Sequence, residues 1–95
     1  NMHLTKQEIR LAAFSLVFDN EGKTQKYSVD QLPIATECFK LLNECVNDDE
    51  EKTYKDSEVS MGQDVKTFLL DRLNREWGVA DGLFFISLKE KLETS

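Results

Sequence analysis

Two thiols and one imidazole are the first side chains with the chemistry to bind a metal or attack a substrate. Cys38 and Cys45 are the only cysteines and His3 is the only histidine. A zinc site built on a helix or loop needs thiolates about two to four residues apart, so that both reach one ion. Cys45 follows Cys38 by seven positions, which on a helix is about 10 Å of rise, beyond the roughly 7 Å limit for a disulfide. The pair reads as two small buried residues on one helix face. His3 stands in an N-terminal segment expected to be mobile, away from any nucleophile it could activate.

The other routes to chemistry are equally thin. Asp48-Asp49-Glu50-Glu51 groups four carboxylates, but without the alternating ligand positions and central glycine of a calcium loop. No dinucleotide fingerprint or P-loop is present, and the four glycines all suit helix boundaries or first turns. Among 18 acidic residues some pair must lie close, yet no spacing singles out two that share a dry cleft. The expectation is therefore a protein that is not an enzyme, with no catalytic residue, no metal ligand and no cofactor.

Charge then sorts the binding partners. The chain carries net charge −6, whereas a nucleic-acid reader needs a basic stripe to neutralise phosphates. Ser28 to Leu32 could open a helix-turn-helix unit, but the helix that follows offers one base, Lys40, against Glu37 and Glu44. Direct nucleic-acid binding is not expected. The longest apolar run, Leu83 to Ile86, is far short of the roughly 20 residues that span a bilayer, so no membrane partner is expected either. No secretion-signal pattern opens the chain, and cysteine is sparse for a secreted domain of this size, which points to the cytoplasm. Asn1 ahead of Met2 reads as an addition to a natural start at Met2, and Asn1 takes no part in the functional argument.

The acidity is concentrated. From Asn47 to Glu58 there are six acids and two bases, a net of −4, while the other 12 acids and 10 bases leave −2. This stretch is either a solvated connection or a docking surface for a basic protein partner. Its candidate contacts are Asp48, Asp49, Glu50, Glu51, Tyr54, Asp56 and Glu58, with Tyr54 as an aromatic anchor among charges.

Four helical patterns would position these residues. Thr5 and Glu8 form a capping box, with Leu4 and Ile9 placed as a hydrophobic staple, so a helix should start at Thr5 and end at the Asp19–Gly22 turn. A rival reading pairs residues 15–18 with 24–29 as a hairpin. Asp30 or Ser28 can cap a second helix with Pro33 in its first turn, running to about Val46 along Ile34, Cys38, Leu41, Leu42 and Cys45. Residues 47–60 break the periodicity and read as an exposed connection. Ser60 and Gln63 make a second capping box, followed by Val65, Phe68, Leu69, Leu73 and Trp77 and an Asp71–Arg75 ion pair on the wet side. Asp81 caps a last helix to about Glu93, although residues 83–88 are apolar enough for a strand.

The expected fold is a single all-α domain of about four helices, a bundle or irregular array. The alternative is α+β, with a short hairpin near residues 15–29 or a C-terminal strand. The expected role is a small protein–protein interaction or regulatory domain. An acidic inhibitor of a basic protein, of the immunity or nucleic-acid-mimic kind, is the alternative. The apolar faces of the first and last helices are wider than a small bundle needs, so a second copy of the chain could cover one of them.

Overall fold

Thr5 and Glu8 do what their spacing predicts. In the computed structural model, which describes residues 1–49, 51 and 53–94, Glu8 N donates to Thr5 Oγ1 at 3.3 Å and Thr5 N donates to Glu8 Oε1 at 2.8 Å. The reciprocal cap starts helix α1 (Lys6–Val17), with the staple residues Leu4 and Ile9 both buried. The chain continues with α2 (Leu32–Asn43), α3 (Gln63–Leu73), a 3-10 turn over Val79–Asp81 and α4 (Gly82–Thr94). Strand β1 (Met2–Leu4) precedes α1, and strand β2 (Ser57–Val59) lies between α2 and α3. Among the described residues the architecture is four helices with one short antiparallel pair of strands.

Helix α3 packs against each of the other three helices, and so does α1. The C-terminal half of α1 buries Leu11, Ala12, Ala13, Ser15 and Leu16, as expected of a segment apolar nearly all round. The rest of the core comes from Cys38 and Leu42 of α2, Val65 and Leu69 of α3, and Leu88 and Leu92 of α4. The helical spacing of Leu88 and Leu92 decides the last segment for helix over strand. No helix among the described residues is long and apolar enough to cross a membrane.

The hairpin proposed for residues 15–29 survives as a single bridge between Phe18 and Thr24. Asp19 N bonds Lys23 O at 2.7 Å, Gly22 takes the left-handed φ of 77° that closes the turn, and Gln25 N reaches Val17 O at 2.7 Å. Pairing stops there because residues 15–17 already belong to the α1 ladder.

Several boundaries move. Helix α2 ends at Asn43, short of Val46, because Val46 leaves to bridge Tyr54. Its start is closed by the Ser28 carbonyl, which accepts from Gln31 N and Leu32 N, while the Gln31 side chain at the N-cap makes no capping bond and instead accepts from Ser28 Oγ at 3.4 Å. The expected Ser60–Gln63 box does not form either, since α3 starts directly after Gly62. Helix α3 stops at Leu73, and Trp77 stays against the core by folding back to donate from Nε1 to Leu73 O at 3.1 Å. Asp81, expected as a cap, instead closes the 3-10 turn before α4. The Asp71–Arg75 pair is replaced by a bond from Arg75 Nη1 to Phe18 O at 2.8 Å.

The largest departures concern residues 1–4 and 47–60. Strands β1 and β2 pair in the register Met2↔Val59, His3↔Glu58 and Leu4↔Ser57. Met2, Leu4 and Val59 are buried. The N-terminal segment is thus held in a sheet, and the connection ends in the core. Strands this short carry too little alternation to be read locally, and their pairing joins distant parts of the chain.

Among the described residues, one buried side chain is charged. Glu8 is 1% exposed, and its carboxylate holds Lys91 Nζ at 2.7 Å and accepts from the Ser87 hydroxyl, both on α4. Burial alone would push this carboxyl up. The bonds from Lys91, Ser87 and the Thr5 amide, together with the Lys91 charge, outweigh burial and hold it below its ordinary value of 4.5. Its stabilising contribution is therefore complete above that value and disappears as pH falls through the lowered folded value. Replacing Glu8 with Ala should cost about 3 kcal/mol in urea unfolding, because Lys91 and the α1 cap lose their shared partner. Glu8→Gln should flatten the loss of stability below pH 4.5 relative to the wild type.

Candidate functional site

The acidic stretch folds into a hairpin. Lys55 N donates to Cys45 O at 2.9 Å, Val46 bridges Tyr54, and Asn47 N donates to Thr53 O at 2.7 Å with its side chain on Thr53 Oγ1 at 3.1 Å. The candidate residues that the structure describes are thereby separated rather than gathered. Asp48, Asp49 and Glu51 lie exposed around the tip, and Glu50 lies outside the described residues.

The other candidates turn toward the body. Asp56 Oδ1 accepts from Lys6 N at 2.8 Å, placing an anion on the N-terminus of α1, where the helix dipole favours it. Glu58 accepts from His3 Nδ1 at 2.9 Å across the strand pair. Tyr54 is half-buried, and burial first, then the neighbouring Cys45, pushes its hydroxyl up. It borders an open groove between the hairpin and α1 that is also lined by Lys6, Arg10, Lys55, Glu51 and Asp56. Three bases and two acids make that groove mixed in charge, and it is not an acidic face.

Nucleophiles and ligands are placed unfavourably for chemistry. Cys38 is fully buried, and burial, followed by the charges of Glu37 and Asp64, pushes its thiol up to about 11, so it stays protonated and a poor nucleophile. Cys45 is buried with Sγ on Leu41 O at 3.5 Å. Tyr27 is pushed up mainly by burial while its hydroxyl donates to Leu16 O at 2.5 Å. Among the described residues, no group of three or more His, Cys, Asp or Glu side chains could hold a metal ion.

The surface features that stand out are apolar. Val79 is 95% exposed, Leu83 82% and Ile86 57%. They recur at i, i+4 and i+7, and the two on α4 fall on the side opposite the Phe85, Leu88 and Leu92 line. Nearby, Trp77 stacks on Phe85 at 4.1 Å and meets Phe14 edge-on at 6.2 Å, with Phe18 a further 4.9 Å from Phe14. Phe14 and Phe18 are both partly open to solvent. The excess apolar width of the first and last helices was the signal for this surface. Its position required knowing which side of α4 turns inward.

No family model, curated protein or solved structure compared with this chain matches it. Asp56 provides a direct check on its internal role: Asp56→Ala should cost about 1 kcal/mol in thermal or urea unfolding through loss of the α1 N-terminal bond.

Proposed function

We propose that this chain is a small non-enzymatic protein–protein interaction or regulatory domain that binds its partner through the outward side of α4 and the turn before it. The observation that carries this reading is the exposed stripe of Val79, Leu83 and Ile86. Single exposed aliphatic residues are ordinary, but Leu83 and Ile86 lie one turn apart on α4 with Val79 on the 3-10 turn before it, which resembles the anchor pattern of a helix that lies in a partner's apolar groove. Covering each fully exposed side chain of this size stabilises by about 1.5–3 kcal/mol. The aromatic ladder of Phe14, Trp77 and Phe85 adds rigid area of the kind that interfaces favour.

The second reading, an acidic inhibitor of a basic protein, is favoured by one observation: the hairpin presents Asp48, Asp49 and Glu51 around its tip. Asp56 and Glu58 give it less support, since each is engaged within the fold.

Affinity capture from native lysate separates the two. Leu83→Asp combined with Ile86→Asp should abolish capture while leaving the melting temperature near the wild-type value, because neither side chain packs in the core. Converting Asp48, Asp49, Glu50 and Glu51 to their amides should leave capture and its salt dependence unchanged; loss of salt-sensitive capture in that variant would instead establish the inhibitor reading. Light scattering at high micromolar concentration distinguishes a second copy of the chain from a foreign partner.

A further inference from the structure

Just beyond the end of α3 lies a guanidinium with one of its three nitrogens hydrogen-bonded. Arg75 Nη1 is held by the Phe18 carbonyl, and Cζ sits 4.1 Å from the centroid of the Trp77 ring. These contacts orient the group. Its Nε and Nη2 are shielded from solvent and, among the described residues, neither has an acceptor. Buried donors seldom remain so, because each has given up its bond to water. Nε and Nη2 are also the two N–H groups that point in parallel, the edge with which an arginine grips both oxygens of a carboxylate.

Arg72 shows the contrast. Its Nε donates to Ser15 O at 3.2 Å and its Nη2 to Gln25 Oε1 at 2.9 Å, so the same edge is satisfied within the chain. Desolvation first, then the charge of Arg72, holds Arg75 below the usual arginine range. An opposite charge beside Arg75 favours its charged form and so offsets both effects.

Both arginines border a surface depression between the 19–25 turn and the end of α3. Asp19, Glu21 and Asp71 also line it. Asp19 Oδ1 already accepts from Glu21 N and Lys23 N at 2.9 Å, and Glu21 lies 3.4 Å from Lys23 Nζ. Three carboxylates around two guanidiniums disfavour a doubly charged ligand more than a singly charged one. Turning that shielded edge into the depression exchanges the Phe18 carbonyl bond and the Trp77 contact for the ligand, and because Arg75 lies beyond the last turn of α3 no helix hydrogen bond is lost.

We propose that the Nε–Nη2 edge of Arg75 is a binding site for a singly charged carboxylate. The site does not depend on the α4 face, and the test uses small ions, so the two readings stand or fall separately. Sodium acetate is titrated into the ¹⁵N-labelled chain at ionic strength held constant with sodium chloride. The readouts are the NMR signals of Arg75 Nε–H and of the indole N–H of Trp77, the only tryptophan. Both signals should shift and saturate, at an acetate concentration several-fold below that needed for inorganic phosphate at neutral pH. Arg75→Lys keeps the charge over Trp77 but lacks the paired donors, and should weaken the Trp77 response about tenfold or more. Asp71→Asn, at an exposed position, should tighten it, which keeps the proposal testable if Arg75→Lys folds poorly. Equal responses to acetate and chloride, phosphate binding as tight as acetate, or an undiminished response in folded Arg75→Lys would each overturn the proposal.

Discussion

A carboxylate sealed between two helices must be matched donor for donor, and Glu8 imposes that condition on most of this fold. Its Oε1 serves the Thr5 amide and Lys91, and its Oε2 serves Ser87. The first of these bonds starts α1; the other two reach across to α4, some eighty residues along the chain. Ser87 and Lys91 are four apart, so satisfying both sets the rotation of α4 about its own axis. With that rotation set, Leu88 and Leu92 turn into the core and Leu83 and Ile86 turn away from it. The exposed apolar stripe is thus a consequence of how a buried charge is solvated by the protein.

The same end of α1 is secured twice more. Met2 and Leu4 sit in the core through their pairing with Ser57 to Val59, and Asp56, one residue before β2, caps the Lys6 amide. A stretch that looks like a solvated linker therefore supports the first helix at its most demanding point. This accounts for Asp56 and Glu58 within the fold and leaves the outward acidity concentrated at the hairpin tip, next to a groove that also carries Lys6, Arg10 and Lys55. Net charge alone describes this surface poorly.

Arginine and aromatic side chains organise the opposite end. Arg72 and Arg75 tie α3 to the end of α1 through the Ser15 and Phe18 carbonyls, and Trp77 folds back beneath Arg75 while stacking on Phe85. Helix α3 can end early because these contacts, and not further helical turns, hold Trp77 against the core.

Local information was enough for the parts of this protein governed by neighbours along the chain. The capping box at Thr5, the stripe from Ile34 to Leu42, the left-handed turn at Gly22 and the helical choice for residues 83–93 all depend on residues within a few positions of one another, where propensity and periodicity act directly. The surplus of apolar width on the first and last helices was legible for the same reason. Tertiary structure decided what depends on distant partners: the β1–β2 pairing, the inward roles of Asp56 and Glu58, the burial of Glu8 against Ser87 and Lys91, and the unpaired edge of Arg75. A carboxylate or guanidinium has the same sequence signature whether it faces water or a donor from another helix. Only the packing that excludes water from it, and supplies or withholds that partner, determines whether it caps a helix, orients one, or waits for a ligand.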